Sequence, residues 1–150
     1  MTEFEALAAQ VRRLTDIEEL RLLKARYFAW VDGREWNRLR GLFADDCTFT
    51  SSARLPDLAG PDDFIAFVTA TVEPGRSTHL GFMPRFEFTD DDHATATWSM
   101  FDLVERDDPH RPGWIGLGTY VERYRRGEHG WLITSWHLER GATRSLSRPS

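Results

Sequence analysis

The chain has 150 residues, 41% of them apolar and 13% aromatic, with six tryptophans and ten phenylalanines. That length suits one domain with a sizeable core, and a net charge of −5 with no basic stripe argues against nucleic acid or an acidic membrane as partner. A single cysteine, Cys47, excludes an intrachain disulfide and a multi-cysteine metal site, and suits a reducing compartment. MTEFEALAAQVRR carries acids where a secretory signal carries bases, and no apolar run approaches the roughly 20 residues of a spanning helix. The expectation is a soluble, cytoplasmic protein with no membrane partner.

In chain order, residues 1–14 read as a helix of their own or a mobile arm. Ile17, Leu20, Leu23, Tyr27 and Val31 then recur at spacings of three and four, the period of an amphipathic helix. Thr15 or Asp16 is placed to cap it, with Glu18 and Glu19 in its first turn. Gly33 breaks the pattern, and Trp36, Leu39, Leu42 and Phe43 begin a second, short helix. ADDCTFTS is a turn into a strand from Cys47 to Ser51, and GPDDFIAFVTATV is a third helix with Pro61 at its first position. From Ser77 the texture changes to four strand-like stretches, about 77–89, 93–106, 113–126 and 130–140, joined by TDDDH, RDDPHRPG and RGEHG. Such short connections imply antiparallel neighbours. The fold class is α+β, with helices packed on one face of the sheet. One domain is expected over 1–150, its core at about 14–140, with a polar tail, 141–150, that is disordered or folds across an open end.

The stretch YFAWVDGREW sets Asp32 in apolar company. It has two readings: the N-cap of the second helix with Glu35 completing a capping box, or one half of an acid–base pair. His79, in STHLG, is the natural partner, on a strand whose Leu80, Phe82, Phe86 and Phe88 share the opposite parity, although Pro84 marks an irregularity that shifts register. Other candidates carry less. Asp107, Asp108 and His110 sit in a hairpin turn with Pro109, Pro112 and Gly113; Asp90, Asp91 and Asp92 form another, and His93 and His129 read as exposed. His137, beside Trp136, reads as a core or interface histidine, and Cys47 as a small buried residue rather than a nucleophile.

The segments IEELRLLKARYFAWVDGREWNRLRGLFADDCTF, GPDDFIAFV, STHLG, ATATW and GTYVERYRRGEHGWLI, in this order over residues 14 to 140, resemble the SnoaL-like branch of the nuclear transport factor 2-like superfamily. The resemblance implies a cone: helices close one side of a strongly curved sheet around an apolar cavity. Scytalone dehydratase, bile-acid dehydratase, ketosteroid isomerase, limonene epoxide hydrolase, polyketide cyclases and the small subunits of ring-hydroxylating dioxygenases share that shape, so the site must choose the reaction. Dehydratase-like members have an aspartate matching Asp32, a histidine matching His79 and a tyrosine matching Tyr27. Scytalone dehydratase has a second histidine on the next strand, where Trp98 is expected here; the simpler bile-acid dehydratase pattern adds an arginine near the C-terminus, matched by Arg140 or Arg144.

These residues suit proton abstraction beside a carbonyl. Imidazole titrates near neutrality, a carboxylate on one ring nitrogen fixes the tautomer and stabilises the imidazolium, and Tyr27 serves as proton donor or oxyanion partner. Phe28, Trp30, Trp98, Met100, Tyr120 and Trp136 are candidates for the cavity lining, with Arg140 as a polar contact. The leading expectation is a cofactor-independent dehydratase or isomerase acting on a hydrophobic cyclic molecule, with no metal, and a homodimer formed through the outer sheet face. Epoxide hydrolysis, polyketide cyclisation and a non-catalytic accessory subunit are the alternatives.

Overall fold

The helical period between Ile17 and Val31 belongs to a longer element. In this computed structural model, which describes residues 1–146, α1 runs unbroken from Glu3 to Asp32. Its cap is Thr2, in a reciprocal capping box with Glu5. Neither Thr15 nor Asp16 starts a helix: the Thr15 hydroxyl donates back to the Val11 carbonyl, and Asp16 is buried against Arg126 at 2.8 Å. Gly33 ends α1, and Arg34, at φ 60°, turns the chain in the left-handed region. The N-cap position of α2 (Trp36–Arg40) is Glu35, without a side-chain cap. Asp32 is therefore the last residue of α1 rather than the cap of α2, and its carboxylate is free for other partners.

After β1 (Phe43–Ser51) comes α3 (Pro61–Val72), whose first turn carries Asp62 and Asp63 against the helix dipole. Then follow β2 (Gly75–Phe88), β3 (His93–Arg106), β4 (Gly113–Gly127) and β5 (Gly130–Leu146). The sheet is open, in the order β1-β5-β4-β3-β2; β1 is parallel to β5 and every other pair is antiparallel. The first part of the expected tail is strand, with Leu146 opposite Gly113; residues 147–150 lie outside the described residues. No helix of the described chain is long and apolar enough to cross a membrane.

Strand β3 alternates cleanly, with Ala94, Ala96, Trp98, Met100, Asp102 and Val104 all turned inward. Strand β2 does not. Its register with β3 shifts between Phe82 and Arg85, where Met83 has φ 53°. Before this bulge His79 and Gly81 face the helices while Leu80 and Phe82 face outward; after it Phe86 and Phe88 face inward. One inserted residue exchanges the two faces, which is why a histidine of the "wrong" parity points into the core.

The core joins the apolar face of α1 to the inner sheet face through aromatic contacts. Phe49 stacks on Phe64 at 4.2 Å, and Phe64 meets Trp136 at 5.0 Å. Deeper lies a polar knot without solvent access: Lys24 pairs with Glu122, the Tyr124 hydroxyl donates to Glu122, and the Trp98 indole donates to Tyr124. The Lys24 ammonium also lies 3.6 Å from the Tyr120 ring centre and 4.1 Å from that of Tyr27.

Candidate active site

Between α1, α3 and the inner sheet face is a cavity of about 140 Å³. Tyr27 and Val31 of α1, Phe64 and Val68 of α3, and Tyr120 and Trp136 of the sheet give it apolar walls, and His79 enters from β2. The side chain of His79 is 11% exposed.

Its Nδ1 lies 2.6 Å from Asp32 Oδ1. A carboxylate only accepts, so the Nδ1 proton donates to it and Nε2 is the basic nitrogen. Asp32 takes two further hydrogen bonds, from the Ser77 hydroxyl at 2.9 Å and the His79 backbone N–H at 2.8 Å. Ser77 in turn accepts from Arg34 Nη1 at 2.7 Å. The Arg34 guanidinium also donates to the carbonyls of Val31, Val72 and Gly75, tying the end of α1 to the end of α3 and the start of β2. The left-handed turn at Arg34 brings this side chain back over the helix end, and the carboxylate is held from three sides. Asp32 is not sealed off: its side chain is 24% exposed.

Directly across from His79 on β3 stands Asp102, 2% exposed, not Trp98. Arg140 Nη1 lies 2.9 Å from both Asp102 oxygens. The room for this pair comes from Gly116, the β4 partner of Asp102: a Cβ there would collide with Asp102 Oδ1 and Arg140 Nη1. Arg140 is thus a paired, largely covered cation on the cavity wall, whereas Arg144 is exposed and does not line it.

Tyr27 is 3% exposed. Burial first, and the charge of Glu122 second, push its phenol pKa up, against partial relief from the Trp136 indole and the Tyr120 hydroxyl. The indole Nε1 of Trp136 is itself buried, and among the described residues it has no close hydrogen-bond acceptor.

Of the expected lining residues, Tyr120, Trp136 and Arg140 border the cavity, and Phe28, Trp30, Trp98 and Met100 do not. Phe28 fills the space beneath Gly81, where a Cβ would strike its ring. Trp98 packs edge-on to Phe86 and is tied to Tyr124, Met100 is plain core at 1% exposure, and Trp30 packs on the core from outside. Asp102 escaped the sequence reading, although it shares the inward parity of Trp98 and Met100. Phe64 and Val68 carried no signal beyond their helical periodicity. His137 bonds to Thr50 and Glu139, and His93 to Asp90, both away from the cavity.

A family model described as a SnoaL-like domain matches residues 12–137. Among solved structures, the chain is similar to a candidate scytalone dehydratase from Novosphingobium aromaticivorans, at 16% identity, 94% of each chain covered and a TM-score of 0.82. It is also similar to the hexachlorocyclohexane dehydrochlorinase LinA-type3 of Novosphingobium barchaimii, at 20% identity, with 91% of this chain and 94% of that one covered and a TM-score of 0.79. An NTF2-like protein with a cystatin-like fold from Novosphingobium aromaticivorans matches at 20% identity, 93% and 91% coverage and a TM-score of 0.76. At these identities the likeness is one of fold.

Proposed function

The chain belongs to the SnoaL-like domain family, and from that premise we propose that it is a cofactor-independent lyase or isomerase in which His79 removes a proton from a small hydrophobic cyclic substrate. The observation that carries this reading is the 2.6 Å contact of His79 Nδ1 with Asp32 Oδ1 at the wall of an apolar cavity. The similarity to proteins named as a dehydratase and a dehydrochlorinase agrees with it.

In the dehydration we favour, His79 Nε2 takes the proton from the carbon next to a carbonyl, and the C–H electrons pass into an enolate. Asp32 stabilises the imidazolium so formed. The enolate then expels the hydroxyl on the next carbon, which leaves as water with the proton returned from the imidazolium. Substrate becomes an unsaturated carbonyl compound plus water, and the enzyme is restored. Because burial holds the Tyr27 proton tightly, its role is to donate a hydrogen bond to the enolate oxygen rather than to give up the proton. The Trp136 indole beside the phenol supports Tyr27 in that role. Asp102 of β3 and Arg140 of β5, neutralising each other, orient a polar substituent without adding net charge.

The volume refines the substrate. About 140 Å³ compares with a buried cavity of roughly 150 Å³ that takes one benzene, so a single ring fits better than a polycyclic skeleton.

The test is proton NMR in D₂O with one-ring β-hydroxy ketones, following water loss and deuterium entry beside the carbonyl. Wild type is expected to catalyse at least the exchange, and His79→Ala to lose about 10²- to 10⁴-fold in rate with an unchanged circular dichroism spectrum. Equal rates for the two proteins would remove the mechanism.

A further inference from the structure

After α1 the chain turns at Arg34, with φ 60°, while the neighbouring Gly33 keeps an ordinary φ of −83°. Glycine or asparagine enters the left-handed region more easily than arginine does, so the surroundings must hold Arg34 there. Its own side chain supplies the hold. Nη2 donates to the Val72 and Gly75 carbonyls at 3.1 and 2.9 Å. Nη1 donates to the Val31 carbonyl at 3.0 Å and to Ser77 Oγ at 2.7 Å. Nε meets the partly exposed Glu73 carboxylate only at 3.7 Å, beyond hydrogen-bond range. Three of these bonds tie the ends of elements together, and the fourth decides where a proton points.

A guanidinium has donors and no acceptor. Ser77 Oγ therefore accepts from Nη1, and its single proton is left for Asp32 Oδ1, 2.9 Å away. The Val72 and Gly75 carbonyls, bound to the same guanidinium, are already taken by Nη2. Ser77 stands two residues before His79 on the same face of β2, so hydroxyl and imidazole meet one oxygen. Oδ1 accepts from Ser77 and from His79 Nδ1, while Oδ2 accepts from the His79 backbone N–H. We propose that Arg34 and Ser77 are positioning residues for the base: Arg34 fixes the direction of the Ser77 hydroxyl, and that hydroxyl pins the carboxylate oxygen that orients the His79 imidazole. Neither side chain lines the cavity, so neither touches substrate. The role rests on the proton abstraction proposed for His79, but the relay itself is observable without a substrate.

Ser77→Ala separates the relay from the tie, because it leaves the three Arg34 bonds to carbonyls in place. Its kcat for deuterium exchange into a one-ring β-hydroxy ketone is expected to fall about 10- to 100-fold, the worth of one hydrogen bond to a charged group, with KM unchanged. Ser77→Thr, which keeps a hydroxyl, is expected to restore most of that loss. Arg34→Asn suits the left-handed turn but is too short to reach Ser77; it is expected to lose kcat as well, and Ser77→Ala/Arg34→Asn to lose no more than Arg34→Asn alone. A tie without a relay would instead raise KM in Arg34→Asn, by loosening Thr71 and Val72 in the α3 wall, and leave Ser77→Ala as active as wild type. Nitrogen-15 NMR of the free protein supplies the arm that no choice of substrate affects. With Oδ1 no longer shared, the His79 Nδ1 resonance is expected to move in Ser77→Ala and Arg34→Asn and to keep its wild-type position in Ser77→Thr. A Ser77→Ala protein with wild-type kcat or an unmoved Nδ1 resonance, or losses that multiply in the double variant, would overturn the relay. Should wild type exchange no deuterium, the proposed chemistry fails and the resonance alone decides the relay: movement supports it, and an unmoved line overturns it.

Discussion

The absence of one side chain at Gly116 decides what the centre of the sheet holds. Across the inner face, His79, Asp102 and Gly116 occupy neighbouring strands at one level, and the guanidinium of Arg140 passes over the glycine to reach Asp102. Gly116→Ala would press a methyl group into a closed ion pair, and overpacking of this kind costs about 1–3 kcal/mol. Urea denaturation is expected to show that loss with an unchanged slope; a variant as stable as wild type would mean that the pair moves aside freely. The meeting of Asp32 with His79 beside Tyr27 was legible as a placement, from the resemblance of their order and spacing to a known pattern. Asp102 was legible in principle, since an acid at the inward parity of an apolar strand needs a partner. What no sequence feature disclosed was that Arg140, far along the chain, would supply it.

On the scale of elements, the apolar period located α1 but not its start, because capping residues inside a continuing helix look like those at its beginning. Thr15 bonds to its own helix and Asp16 to Arg126 instead. Strand β2 shows the opposite failure: its alternation read true on both sides of Pro84, and only the bulge between decides which half faces in. Helix α1 is also fastened to the sheet by a charge pair that periodicity does not foresee. Lys24 and Glu122 have no solvent access, and burial pulls the lysine pKa down against the opposing pull of Glu122. Breaking one side of such a pair leaves a buried charge alone. Lys24→Met is therefore expected to cost about 3–5 kcal/mol, and Lys24→Met/Glu122→Gln to recover most of it. Equal losses in single and double variants, measured by chemical denaturation, would show that the ammonium serves as packing and not as counter-ion.

For the molecule as a whole, helices on one face of an open five-stranded sheet were legible from the change of texture at Ser77, while the parallel pairing of β1 with β5 and the length of β5 were not. The finished core encloses all three tyrosines of the chain, each with its pKa raised chiefly by burial. A phenol whose folded pKa is raised stabilises the native state fully below its unfolded pKa, about 10, and loses that contribution as pH rises beyond it. Phenolate absorbance and unfolding are thus expected to appear together in the alkaline range; a tyrosine that ionises while the fold is intact would contradict the buried network. The same fold brings the end of α1 onto a strand that begins more than forty residues later, and the proposed chemistry depends on that meeting. Nitrogen-15 NMR of the His79 imidazole observes it directly. Near neutral pH the neutral ring is expected to carry its proton on Nδ1, with Nε2 bare, and to lose that preference in Asp32→Asn. A proton on Nε2 in the wild type, or a tautomer mixture indifferent to residue 32, would contradict a base aimed at the cavity.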